Sequence, residues 1–385
     1  MTDNIIAALG KRNHVCQVYL SRLAGWQLED VLAMMQVPFP ELTELRLSSD
    51  GEALPVIPDS VIPDSFLGGS APRLRSFGLS GISFPGLPNL LLSVPHLVKL
   101  RLFDIRHSGY ISPEAMATCL SVLTSLDTFF LGFEFSFSRS RSRPDRGNRH
   151  SPPMTRSILP GLSTIMFEGT SEYLDDLVAW IDTPRLDKLS ITFFPQMNFD
   201  TPHLVQFISR TPRFQEPNEA YVNLNPDAEV QLVWASDGHG SRLSVQISCV
   251  ASVPEPSSIA KVYPMCLPPL LTVENLRLGG LAEPLFDYKD DIENDQWLEF
   301  LRPFVAVKSL YLSEEFQPFI ADALQELIEG RTTEVLPSLQ NIFLAGFEPS
   351  GPSTFQEAIG QFVAARQLSG HPIVVAVDRR FPYSF

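Results

Sequence analysis

Seven histidines (14, 96, 107, 150, 203, 239 and 371) and four cysteines (16, 119, 249 and 266) are the side chains best suited to metal binding or nucleophilic attack. None falls in an HExxH or CxxC arrangement, and no pair has ligand spacing. "GLSGIS" at 78–83 departs from the GxSxG nucleophile elbow and reads as a turn after a strand. "SDGHGS" at 236–241 offers backbone amides to an anion, but a hairpin turn accounts for it with less. "DYKDDIENDQ" at 287–296 has an acidic rhythm yet lacks the glycine and closing glutamate of a calcium loop. It reads as a solvated loop leading into a helix at "QWLEFL". The chain is therefore expected to be non-catalytic, with no cofactor and no metal.

A different chemistry runs between the leucines. "VPHLVKLRLFDI" at 94–105 places leucines at 97, 100 and 102, with Lys99, Arg101 and Phe103 alternating between and after them. The pattern recurs in "NHVCQVYL", "PELTELRL", "PRLRSFGL", "TSLDTFFL", "PGLSTIMF", "PRLDKLSI", "LTVENLRL", "VAVKSLYL" and "PSLQNIFL". First positions fall at 15, 42, 74, 97, 126, 162, 186, 273, 307 and 339, mostly 23 to 36 residues apart. Apolar runs at helical spacing precede most copies, as in "SPEAMATCLSVLTSLD" and "YLDDLVAWIDTPRLD". Ser112-Pro113-Glu114 and Asp200-Thr201-Pro202 read as helix starts, with proline in the first turn.

Each unit is thus helix, connector, strand. One unit alone cannot bury its apolar face, so stacking is required. The expected fold is α/β: an irregular leucine-rich-repeat solenoid over 1–385. It would hold about ten to twelve strand–helix units, with a parallel concave sheet and helices on the convex side. The 87-residue gap from 186 to 273 leaves 217–250 as either two degenerate repeats or a local hairpin. "EVQLVWA" alternates as a strand would, and "PNEAYVNL" and "GSRLSVQI" are the repeat candidates. The ninth slot, where regular repeats carry asparagine, holds Leu23, Asp50, Ile82, Ile105, Glu134, Thr170, Phe194, Leu281, Glu315 and Phe347. There is no asparagine ladder. Residues 135–157 hold six arginines and one acidic residue. They read as a disordered Arg/Ser-rich insertion at the solenoid edge; a basic, phosphorylatable tether is the alternative.

The repeats resemble those of F-box-like proteins of basidiomycete fungi. The resemblance is carried by "NIIAALGKRNHVCQVYLSRLAGWQLEDVLAMMQVPFPELTELRL", "PRLRSFGLSGISFPGLPNLLLSVPHLVKLRL", "GYISPEAMATCLSVLTSLDTFFLGFEF" and "LPSLQNIFLAGFEPSGP". It implies the substrate-recognition region of an F-box-type ubiquitin ligase receptor, a free-standing scaffold being the other possibility. Such receptors bind a Skp-type adaptor through an N-terminal helical bundle of ~40 residues. The first repeat here begins by residue 15, so adaptor binding is expected only if that bundle lies upstream.

Composition narrows the partner. A net charge of −15 argues against duplex nucleic acid or an anionic membrane. The cysteines show no disulfide spacing, no glycosylation sequon occurs and no apolar run reaches membrane-spanning length, so cytoplasm or nucleus is expected. The third, fifth and seventh positions of each copy should face the concave side. Their charged members are Arg46, Lys99, Arg101, Lys188 and Arg277 against Glu44 and Glu168, a basic excess in an acidic chain. Tyr19, Phe103, Phe130, Tyr311 and Phe343 share that face. Arginine and aromatic side chains anchor binding hot spots, which predicts a protein partner, acidic where it touches this face.

Overall fold

The computed structural model describes residues 2–49, 61–134, 155–194, 200–224, 227–233, 241–248, 260, 267, 270–279, 293–314, 316–328, 331–345 and 354–378. They divide into two compact units, Met1–Phe194 and Pro195–Phe385.

Among the described residues the main sheet of the first unit holds seven strands, β1 (Gln17–Leu23), β2 (Glu44–Ser49), β3 (Ser76–Ser80), β4 (Lys99–Ile105), β5 (Thr128–Phe133), β6 (Thr164–Gly169) and β7 (Lys188–Phe193), beside a two-stranded sheet of Ser157–Ile158 and Ile181–Asp182. Each pairs in parallel with the next. The register sets like on like, so Leu45, Phe77, Leu100, Phe129, Ile165 and Leu189 form one row across the sheet. All six are buried, each contributing roughly 1.5–3 kcal/mol relative to exposure. Helix α1 (Thr2–Leu9) precedes β1, and α2 (Gly25–Met34), α3 (Leu87–Leu92), α4 (Pro113–Val122) and α5 (Ser171–Ala179) lie in the connections. The apolar stripes of α2 (Leu28, Val31, Leu32), α4 (Met116, Ala117, Leu120) and α5 (Leu174, Leu177, Val178) are buried. Ser112 caps α4, its hydroxyl accepting from the Ala115 amide at 3.2 Å, with Pro113 in the first turn. Proline costs nothing there, because that amide has no helical partner.

The missing asparagine ladder has a physical replacement. Leu23, Ile82, Ile105 and Phe194 fill the ninth slot as buried apolar plugs. Backbone groups leaving the strands bond across repeats instead: Gly81 N to Phe103 O at 3.1 Å, Glu134 N to Ile105 O at 3.1 Å, and Phe194 N to Gly169 O at 2.9 Å. Arg22 and Asp104 take left-handed backbone conformations (φ 53° and 50°), each within a register shift near a strand end.

The second unit also has seven strands: β8 (Glu219–Leu224), β9 (Asp227–Val233), β10 (Arg242–Ser248), β11 (Asn275–Gly279), β12 (Ser309–Leu312), β13 (Asn341–Ala345) and β14 (Val374–Asp378). Strands β8, β11, β12, β13 and β14 are successively parallel. Strands β8, β9 and β10 form an antiparallel meander. The segment 217–250 thus combines a repeat strand with local antiparallel pairing. Its alternating residues Ala220, Val222, Val230, Leu232, Leu243 and Val245 are buried. The helices are α6 (Pro202–Arg210), α7 (Asn294–Leu301), α8 (Gln317–Gln325) and α9 (Thr354–Leu368). In the α8 turn a buried glutamine takes over part of the asparagine's work: Gln317 Nε2 donates to the Ala345 carbonyl at 2.8 Å.

These strands and helices make leucine-rich-repeat architecture, mixed α/β with a mostly parallel sheet. Most of the arginine-rich insertion, 135–154, lies outside the described residues, as do 234–240 of the glycine turn and 280–292 of the acidic loop. Arg156, at the insertion's end, donates to the Ala179 carbonyl at 3.3 Å. No described helix is long and apolar enough to cross a membrane.

Candidate functional site

With alternate residues committed to the core, the side chains between them stand on the opposite face of each sheet. In the first unit, register lines up Tyr19, Arg46, Gly78, Arg101, Phe130 and Met166 in one row, one residue per strand. The centre of that row is a glycine between two arginines. Strand spacing puts Arg46 and Arg101 roughly 10 Å apart at their Cα atoms, with only hydrogen on Gly78 between them. Each guanidinium lies over the aromatic ring on its far side: Arg46 is 5.4 Å from the Tyr19 centroid and Arg101 is 5.0 Å from that of Phe130. The result is a groove of about 430 Å³ lined by this row from Tyr19 to Phe130, by Phe103 and by Ser21, Ser48 and Ser80.

The electrostatics of this groove favour an anion. Among the described residues, neither arginine makes an ion pair, and Arg101 Nε is buried without a hydrogen-bond partner. Burial, and then the neighbouring Arg46 charge, lower the Arg101 pKa from its ordinary value. The group stays a cation at neutral pH, so two uncompensated positive charges face the groove. Tyr19 is braced on its other side, its hydroxyl donating to the Glu44 carboxylate; that bond is the main reason its pKa is raised. Phe103 meets Phe130 edge-on, with centroids 5.7 Å apart.

Lys99 and Lys188 stand elsewhere. They share the adjacent row with Gln17, Glu44, Ser76, Thr128 and Thr164. Both are exposed, and neither lines the groove.

The matching row of the second unit is filled. Register aligns Tyr221, Arg277, Tyr311 and Phe343. The Arg277 guanidinium is sandwiched, 5.5 Å from the Tyr221 centroid and 4.2 Å from that of Tyr311. Tyr311 then stacks on Phe343 at 4.5 Å, with the rings 13° from parallel. Burial is the main cause of the raised Tyr221 pKa, aided by the Glu219 charge and by a 3.0 Å hydrogen bond to that carboxylate.

Of the ten side chains expected on this face, Tyr19, Arg46, Arg101, Phe103 and Phe130 come together in the groove. Arg277, Tyr311 and Phe343 come together in the ladder. Sequence reasoning missed Gly78, which makes the gap, and Tyr221, which completes the sandwich. The signal for Gly78 was its fifth-position slot, shared with Arg46 and Arg101. Tyr221 stood between two core residues in a copy too degenerate to set its register. No group of three or more His, Cys, Asp or Glu side chains suited to a metal occurs among the described residues.

Comparison with protein-family models yields no match, and neither does comparison with curated proteins. Among solved structures, the leucine-rich repeat-containing protein LegL7 from Legionella pneumophila aligns over 89% of this chain and 95% of its own. Its identity to this chain is 13%, with a TM-score of 0.31.

Proposed function

We propose that this chain is a non-catalytic repeat protein that binds another protein, and that the groove of the first unit seats an acidic segment of that partner. One observation carries the reading: Arg46 and Arg101, each backed by an aromatic ring and neither ion-paired among the described residues, flank the gap at Gly78. Guanidinium groups positioned on aromatic faces have lost little freedom when a carboxylate arrives, and they recognise it with two parallel donors. Such arginines and aromatics are the residue types that dominate protein interfaces.

Selection of a randomised peptide display library on the full chain tests this. Enriched sequences should share an acidic residue and should lose at least ~100-fold in affinity for the R46E/R101E double variant, about 2.7 kcal/mol. Enrichment that is indifferent to the two arginines would place recognition elsewhere.

A finer role, substrate recognition in an F-box-type ubiquitin ligase of cytoplasm or nucleus, is favoured by the likeness of the repeat sequences to fungal F-box-like proteins. It requires an adaptor-binding bundle in the same polypeptide. Co-purification of a Skp-type adaptor and a cullin with the full-length protein from source lysate tests it. Without them, the free-standing scaffold stands.

A further inference from the structure

The same face of the first unit carries a second pair of charges, both acidic. Asp104 follows Phe103 on β4, and Glu168 stands on β6, one row beyond the arginines. Among the described residues neither carboxylate makes an ion pair. Asp104 accepts from the Ser80 hydroxyl at 2.8 Å, and Ser80 lines the groove. Glu168 leans over Gly132. A Cβ on that glycine would lie 3.6 Å from Glu168 Oε2 and 3.6 Å from the Phe103 ring. The two carboxylates therefore border the groove across the Phe103 ring. Partial burial, and then the Asp104 charge, raise the Glu168 pKa.

The two arginines and the two acids stay apart for a geometric reason. Each guanidinium is drawn outward onto its own ring, and Phe103, wedged against Phe130, stands at the groove's border with the carboxylates. A purely acidic ligand gains at the arginines and is repelled at Asp104 and Glu168; a purely basic one meets the reverse. A ligand with one charge of each sign satisfies both pairs.

We infer that the groove selects an extended peptide segment of mixed charge. Its acidic side chain lies over Gly78 between Arg46 and Arg101, and its basic side chain, roughly 10 Å away, reaches Asp104 and Glu168. This rests on the recognition role proposed above and adds to it a polarity and a required base. Charge patterning of this kind confers specificity by penalising uniformly charged competitors.

The same library selection tests the inference, followed by titration of an enriched peptide and of its Lys→Ala or Arg→Ala form. The proteins are the wild type and the D104N/E168Q variant, which keeps side-chain size and, at residue 104, a residue type that tolerates positive φ. Removing the peptide's base should weaken binding about tenfold on the wild type and have no effect on D104N/E168Q. Enrichment of purely acidic sequences, or an equal loss on both proteins, overturns the inference and leaves the recognition role standing. No enrichment, or enrichment insensitive to R46E/R101E, overturns the recognition role itself.

Discussion

The two units place arginine and aromatic side chains in equivalent rows and obtain opposite results. In the first, Arg46 and Arg101 are separated by Gly78, each touches one ring, and a groove opens between them. In the second, Arg277 has a ring on each side and Tyr311 continues the stack to Phe343, leaving the row closed. A fourth arginine, Arg366, completes the contrast: it is fully buried and donates to the carbonyls of Thr332 (2.9 Å), Pro337 (3.3 Å) and Leu339 (3.2 Å). The same side chain thus serves packing, backbone satisfaction or, as proposed for Arg46 and Arg101, recognition. Among the described residues, a buried Nε without a hydrogen-bond partner is common to Arg101, Arg277 and Arg366; what decides is whether the neighbours leave the guanidinium facing a groove, cover both its faces or bring carbonyls to its terminal nitrogens.

Substitutions that separate these roles sharpen the comparison. The largest stability effect is expected at Arg366. Arg366→Met orphans several buried carbonyls at once and should cost on the order of 3–4 kcal/mol, read by urea unfolding; a loss under 1 kcal/mol would show that water takes over. Next, R46E/R101E should lose peptide affinity by at least ~100-fold with a thermal midpoint near that of the wild type. The reversal gives up one ring contact per arginine, about 0.5 kcal/mol each on an open row, and no ion pair among the described residues. Arg277→Ala should do the opposite, costing about 1–2 kcal/mol of stability through the lost sandwich, while peptide affinity stays unchanged. If Arg277→Ala impairs binding and spares stability, the two rows are not different in kind.

The smallest effect concerns an exposed cluster. Glu334 accepts from Arg331 and Arg302, and chiefly the Arg331 hydrogen bond pulls its pKa down to about 2. Since this lies below the unfolded value of ~4.3, the contribution is present above that pH and is lost as pH falls through about 2. Glu334→Gln should flatten the acid limb of the stability profile slightly, measured by thermal melts between pH 2 and 5. An unaltered profile would show the cluster to be screened out by solvent.

The sequence made the strands legible because the leucine spacing has a single structural solution: Leu100 and Leu102 must face the core, so Lys99 and Arg101 must stand on the opposite face. The helix start at Ser112-Pro113 was legible from local chemistry alone. The meander at 219–248 was legible only as alternatives, since alternation at Val230 and Leu232 is the same for parallel and antiparallel pairing. Which arginine would be free was not legible. Arg101 and Arg277 occupy the same position in their repeats, and their fates differ through Gly78 and Tyr221, neighbours fixed only by inter-strand register. Asp104 escaped because it belongs to neither face of the pattern; the left-handed turn at this residue (φ 50°) brings it to the groove.

The central claim is that one glycine keeps the row of the first unit open for a partner. Gly78→Thr tests it most directly, because the added Cβ would lie 3.3 Å from Arg46 Cγ and fill the gap between the arginines. The exposed Arg46 side chain can give the few tenths of an ångström that this tight contact demands, and threonine suits a strand better than glycine, so stability should hold or rise by up to ~1 kcal/mol. Titration of the selected peptide against Gly78→Thr should show affinity falling at least tenfold in a protein that melts no lower than the wild type. Undiminished affinity in that protein would contradict the account.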